Sequence, residues 1–262
     1  MLNDIIGIAK EAGSVIKDGF GKNFGIEYKT NVANIVTEID KKSEKLIIDF
    51  INKKYPGHSV LAEESGVNDK NSEYYWIIDP IDGTTNFAHG LPFFSVSIAV
   101  ARKDKVIAGA VYDIMRDVMF SAEEGGGAYA NGQKISVSTN NDLAKSLLVT
   151  GFPYDFNGNE DALVDMFKYF LLNSRAVRRL GSAALDMCYV ANGVFDGFWE
   201  STLNPWDICG AKLIVEEAGG EVVDYTGKPL DIFGKQLRVL ATNKKVSSCM
   251  LSVLSEHNKL LK

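Results

Sequence analysis

The sequence predicts a mixed fold, part α+β and part α/β, on three observations. Leu2, Ile5, Ile6, Ala9, Ala12, Ile16 and Phe20 recur at helical spacing, so the chain opens on an amphipathic helix over about 2–20. From Phe93 to Ala122, apolar and β-branched runs follow one another, and Gly125-Gly126-Gly127 and Asn131-Gly132 supply turns, the pattern of antiparallel strands. Beyond about Ser146, helices and short strands alternate, which is the pattern of an α/β unit.

The elements follow in order. Gly19 and Gly21 end the first helix. Ile26 to Val36, with Lys29-Thr30-Asn31 and Asn34, reads as a mobile loop or a loosely paired hairpin. Leu46, Ile47, Phe50 and Ile51 mark a second helix over about 38–54, stopped by Tyr55-Pro56-Gly57. Ser59 to Ala62 and Tyr74 to Ile78 are short buried strands. Phe93 to Val100, Val106 to Tyr112 and Val118 to Ala122 form the antiparallel run. In the second half, strands are expected at 147–150, 176–179, 195–200, 221–225 and 237–241. Helices are expected at 160–172, 183–192 (capped by Ser182), 205–218 and 244–260. The boundary falls near Asn140 to Ser146, dividing the chain into 1–143 and 144–262, two intimately packed halves.

Composition narrows the function. With 46% hydrophobic and 24% charged residues the 262-residue chain has the balance of a soluble globular protein with ample core. A net charge of −6 speaks against a broad nucleic-acid footprint. Cys188, Cys209 and Cys249 are too scattered for a disulfide scaffold, and their apolar neighbours suggest buried reduced thiols. The N-terminus lacks a basic leader, and no apolar run approaches the ~20 residues of a membrane span. A cytoplasmic protein is expected.

The chemistry concentrates at Asp79-Pro80-Ile81-Asp82-Gly83-Thr84-Thr85-Asn86. Pro80 fixes its own φ and removes an N–H, so the chain is expected to turn sharply past Asp79 and aim the Ile81 carbonyl inward. Asp82 to Thr85 has the character of a capping segment opening a short helix. Glu63, Asp79, Asp82 and Asp207 each follow a strand or open a helix, where α/β folds place their ligand sites. Each also has a plainer reading, a turn residue, a solvated pair with Glu64, or a helix-dipole complement. An all-oxygen set without His or Cys favours Mg²⁺ over zinc. His58, His89 and His257 lie outside these motifs and read as structural or surface residues.

Taken together, Leu61-Ala62-Glu63-Glu64-Ser65-Gly66, Trp76 to Phe87, Gly181-Ser182-Ala183-Ala184-Leu185-Asp186, Pro205-Trp206-Asp207 and Glu216 to Gly220 resemble the inositol monophosphatase family. The likeness runs from the first helix to about Asn243 and is nearest to bacterial members. It implies a five-layered αβαβα sandwich, usually a homodimer, that hydrolyses phosphate monoesters with two to three Mg²⁺ ions and is lithium-sensitive. Carried over by motif, Glu63, Asp79, the Ile81 carbonyl, Asp82 and Asp207 are metal ligands, with Asp79 bridging. Glu63 and Thr84 orient the attacking water. Gly83 and Thr84 N–H groups cradle the phosphate, and Gly181, Ser182, Ala183, Glu200 and Asp207 meet the substrate. Lys29, Thr37 and Asp40 belong to the loop near a third metal.

The leading expectation is therefore a Mg²⁺-dependent phosphatase of myo-inositol-1-phosphate or a related sugar alcohol. Fructose-1,6-bisphosphate or a nucleotide phosphate (NADP, PAP) is the alternative substrate, for which Arg178 or Arg179 offers an extra cation; alternation along a strand would let only one of them face inward. A different class is a binding protein of transcription or ribosomal RNA complexes, as the resemblance to bacterial members also implies.

Overall fold

The computed structural model describes residues 1–29 and 31–261; Thr30, inside the expected hairpin, and Lys262 lie outside the described residues. Helices α1 (Leu2–Gly19) and α2 (Glu38–Lys54) form the outermost layer. Between them runs a small hairpin, β1 (Ile26–Tyr28) and β2 (Ile35–Thr37), with Ile26 opposite Thr37. Thr37 starts α2 through a capping box: its hydroxyl accepts from the N–H groups of Ile39 and Asp40, and the Asp40 carboxylate accepts from Thr37 N.

The second layer is an eight-stranded sheet in the order β10-β9-β8-β7-β6-β5-β3-β4. It is built from β3 (Ser59–Ala62), β4 (Gly66–Asn68), β5 (Tyr74–Asp82), β6 (Ser95–Arg102), β7 (Lys105–Asp113), β8 (Val118–Glu123), β9 (Gly127–Ala130) and β10 (Gln133–Lys134). All its pairings are antiparallel except β3 with β5. Strand β5 is buried on both faces, so its alternation serves two cores: Trp76 and Ile78 face α1 and α2, while Ile77 faces the interior helices.

The interior helices, α5 (Ala183–Ala191) and α6 (Pro205–Glu217), form the third layer, packed between the first sheet and a second one. That second sheet has the order β12-β11-β13-β15-β14, from β11 (Leu147–Thr150), β12 (Ala176–Arg178), β13 (Gly197–Leu203), β14 (Glu221–Val223) and β15 (Leu237–Thr242). Strands β11, β12 and β13 run parallel, while β15 is antiparallel to β13 and β14. Helices α4 (Glu160–Asn173) and α7 (Ser247–Asn258) cover its far face around Phe170, Trp199 and Met250. The five layers expected of this sequence are thus present, each apolar helix stripe buried on a sheet face.

Three expectations change, and one strand was not anticipated. Pro80 makes no sharp turn: β5 continues to Asp82, and the sheet absorbs the proline in a bulge, with Asp79 opposite Ser97 and Asp82 opposite Ser95. A residue without an N–H is tolerated there because the bulge leaves one position out of the ladder. Ser182 precedes α5 as expected but does not cap it with its side chain, which serves the site instead. Cys249 is exposed, while Cys188 and Cys209 are buried. Strand β4, short and largely exposed, carries too little apolar pattern to be read in advance. The histidines are as expected: His58 is stacked on Tyr74 and accepts from Trp76 Nε1, and His89 is exposed.

Candidate active site

The bulge in β5 gathers the site. Past it, Gly83 takes a left-handed φ of +99° and starts the five-residue helix α3 (Thr84–Ala88). A Cβ at Gly83 would come within 3.1 Å of the Phe93 carbonyl and 3.2 Å of the Gly181 carbonyl, so only glycine fits this corner. The Asn86 amide closes it, donating to the carbonyls of Phe93 and Leu180, both at 2.8 Å. Residues 83–86 and 180–182, far apart in sequence, thereby become one wall.

Asp79 is buried, and its Oδ1 has no hydrogen-bond partner. Burial, then the charges of Glu63, Asp82 and Asp207, push its carboxyl well above the usual range. Asp207 is raised in the same way, by burial first and then by Glu63, against a bond from Asn204 N at 2.6 Å. That bond completes a capping box on α6, so the helix-start role and the site role fall on one residue. Asp82 is pushed up to about 6 by burial, against hydrogen bonds that favour its charge. Those come from Ser182 Oγ at 2.5 Å, Ala184 N at 2.8 Å and Ala183 N at 3.2 Å, so Asp82 caps α5 from a hundred residues away.

Glu63 follows β3, its N–H held by the Ile78 carbonyl at 3.1 Å. Lys29 bridges Glu63 and Glu64 at 2.7 and 2.6 Å. Burial works against the ammonium, but the two carboxylates outweigh it and hold Lys29 well above its ordinary value. Glu64 itself is pushed up to about 7 by burial and then by Glu63.

Thr84 has two acceptors within the protein. Its Oγ lies 2.9 Å from Asp40 Oδ1 and 2.9 Å from the Ile81 carbonyl. Asp40, whose other oxygen is in the α2 capping box, is raised to about 6 by burial. The Thr37-x-x-Asp40 spacing of a capping box is legible in the sequence; the reach of Asp40 to Thr84 is not.

The end of the site around Glu200 is equally crowded. Glu200 packs so tightly on Gly151 that a Cβ there would lie 2.0 Å from its Oε2. Burial raises Glu200 to about 8, tempered by Arg179. One turn along α5 from Ser182, Asp186 is buried with neither oxygen bonded. Arg178 turns to the Val177 carbonyl, while Arg179 lies over Gly181, so only one of the pair faces the site.

No three of these side chains, or of any His, Cys, Asp or Glu among the described residues, form a finished metal shell as they stand. Asp82, Asp207 and Glu63 are each satisfied by protein groups instead, and Asp79 Oδ1 by none. The donor set nevertheless fits a hard cation: it is all oxygen, its carboxyls raise one another, and a buried carboxyl oxygen has no protein donor.

Known proteins resemble the chain along nearly its whole length. The profile of the inositol monophosphatase family matches residues 1–259. The chain is 42% identical over 238 residues to the chloroplastic phosphatase IMPL1 of Arabidopsis thaliana, covering 88% of this chain but only 64% of that protein, less than two thirds of its length. It is 44% identical over 229 residues to the Nus factor SuhB of Pasteurella multocida, covering 87% of this chain and 86% of that one. The solved inositol monophosphatase of Anabaena superposes with a TM-score of 0.84 at 38% identity, over 97% of this chain and 95% of that one.

Proposed function

Because the chain belongs to the inositol monophosphatase family and is thereby a phosphoric monoester hydrolase, we propose that it is a Mg²⁺-dependent phosphatase of myo-inositol-1-phosphate or a related sugar-alcohol monoester. The observation that carries the reading is the buried, unbonded Asp79 oxygen among mutually raised carboxylates, beside the Thr84–Asp40 pair. Glu63, Asp79, the Ile81 carbonyl, Asp82 and Asp207 would hold two to three Mg²⁺ ions. When bound, such ions neutralise the phosphate dianion, acidify a water and stabilise the leaving alkoxide.

The chain's own groups do the rest. Thr84 Oγ, with Asp40 behind it, orients the attacking water and relays its proton toward the Asp40 carboxylate. The N–H groups of Gly83 and Thr84, at the corner that only glycine can turn, meet the phosphoryl oxygens. Gly181, Ser182, Ala183 and Glu200 meet the alcohol, and the Ser182-to-Asp82 bond keeps that wall in register with the carboxylates. The same reading takes the enzyme to be a lithium-sensitive homodimer of the cytoplasm.

The test is phosphate release by the purified chain, with and without Mg²⁺, from myo-inositol-1-phosphate, fructose-1,6-bisphosphate and NADP. We expect Mg²⁺-dependent turnover with kcat/KM for the inositol ester at least about tenfold above the others. A reversed order would move the assignment to the bisphosphate or nucleotide, and no Mg²⁺-dependent turnover on any would overturn it. A second reading, a partner of the transcription machinery, has the name of the Pasteurella relative in its favour. The net charge of −6 weighs against direct contact with nucleic acid.

A further inference from the structure

Tyr154 lies in the loop after β11 of the second sheet, far in sequence from the β1–β2 hairpin. The two are joined: Asn31 Nδ2 donates to the Tyr154 carbonyl at 3.1 Å. Asn31 is itself fixed, since its Oδ1 accepts from the N–H groups of Ala33 and Asn34 at 2.9 and 3.1 Å. At its other anchor the hairpin holds Glu63 and Glu64 through Lys29. It therefore spans from the carboxylate wall of the first sheet to a loop of the second.

The side chain of Tyr154 makes use of that placement. As a residue it is 49% exposed, but its hydroxyl end is turned inward, toward Thr85. Thr85 Oγ is buried, and no ordinary hydrogen bond satisfies it. Burial, and behind it the charges of Glu63, Asp82 and Asp207, keep the phenol above its usual pKa. It stays a neutral donor in a mouth walled by carboxylates. A phosphate monoester brings anionic oxygens to that mouth, and a neutral O–H can meet them without adding charge of its own.

We propose that Tyr154 is a substrate-binding residue whose hydroxyl, beside that of Thr85, donates to the phosphoryl group, and that Asn31 holds it in place. The proposal rests on the phosphatase reading above and adds to it a ligand-binding group from the second half of the chain. It also gives the hairpin a task beyond the carboxylates, since Asn31 fixes the loop from which the phenol reaches inward.

The experiment compares Tyr154→Phe, Tyr154→Ala and Asn31→Ala with the wild type, in Mg²⁺, on myo-inositol-1-phosphate. Tyr154→Phe should raise KM about tenfold while kcat changes less than about threefold, because one charge-assisted hydrogen bond is lost and the ring is kept. Calorimetric binding of inorganic phosphate in the presence of Mg²⁺ should weaken to the same degree. Tyr154→Ala should add little to the effect of Tyr154→Phe. Asn31→Ala should shift KM in the same direction by a smaller factor, and should add little in the double variant with Tyr154→Phe. If Tyr154→Phe keeps a wild-type KM and phosphate affinity while Tyr154→Ala loses both, the ring and not the hydroxyl is at work and the proposal fails. If all three variants match an active wild type, it fails as well. A wild type with no Mg²⁺-dependent phosphate release would instead sink the phosphatase reading, and this proposal with it.

Discussion

Two sets of buried carboxylates in this molecule are treated in opposite ways. Asp113 and Asp196 are saturated. Asp113 accepts from Tyr189 Oη at 3.0 Å and from Arg116, through both its N–H and its guanidinium, each at 3.3 Å. Asp196 accepts from Ser138 Oγ at 2.5 Å, Leu147 N at 2.9 Å and Asn243 Nδ2 at 3.5 Å, tying the junction between the sheets to β11 and β13. At the site, Asp79 has an oxygen with no donor and Asp186 has two; the charges around Asp79 are other acids, and Asp186 has Glu200 and Asp82 against a single Arg179. A fold that satisfies one pair so fully has the means to satisfy the other. Carboxylates left without donors, one beside the β5 bulge and one on α5, are better explained by what they bind than by what they stabilise.

The sharpest way to break that contrast is Asp79→Asn. An amide keeps the shape but removes the charge, so kcat/KM should fall at least about a hundredfold, as expected for loss of a metal ligand. In EDTA the variant should melt at or above the wild-type temperature, because burial and the neighbouring acids disfavour a charge on Asp79 and the amide carries none. A melting temperature several degrees lower would mean that Asp79 is structural after all.

The counterpart is Asp113→Asn, which leaves the Arg116 guanidinium and the Tyr189 hydroxyl competing for a neutral partner. We expect a loss of about 3 kcal/mol in urea unfolding, while the folded fraction keeps kcat within a few-fold of wild type. A stability change below about 0.5 kcal/mol, or an activity loss as deep as that of Asp79→Asn, would erase the distinction between the two sets.

The sequence carried this distinction only in part. Glu63, Asp79, Asp82 and Asp207 were legible because each sits where a strand ends or a helix begins; the helices and strands were legible from hydrophobic periods of 2 and 3.6, their five-layer stacking only through the family resemblance. Pro80 misled, since Asp-Pro reads locally as a turn and only the pairing of β5 with β6 shows that the strand absorbs it. Ser182 had the right position for a cap, but its hydroxyl serves Asp82, a hundred residues upstream. The Thr84–Asp40 and Asn31–Tyr154 contacts span 44 and 123 residues. Local pattern reports which face of an element is buried; it does not report which distant acceptor a buried hydroxyl or amide will find. Those pairings arise only when the layers stack, and they account for most of what was missed at the site.

The smallest expected effect tests whether the carboxyls that burial raises around the site cost stability in a pH-dependent way. Glu200 sits against Gly151, and burial lifts its carboxyl from 4.5 to about 8, although Arg179 opposes the shift. A carboxyl whose pKa is raised on folding binds its proton more tightly in the native state. Its contribution is therefore fully present below the unfolded value and is lost as pH climbs through the window from about 4.5 to about 8. Asp40, lifted to about 6, adds a loss confined to the lower part of that window. In EDTA the wild type should lose stability as pH rises across this range, the opposite of a protein held by salt-bridged acids. Glu200→Gln has no proton to lose and should flatten the upper part of the slope, by on the order of 1–2 kcal/mol once the Arg179 charge and water entry are allowed for. Thermal melts at half-unit steps from pH 4.5 to 8 decide it. Parallel curves for the two proteins would place Glu200 with the satisfied carboxylates, beside Asp113 and Asp196.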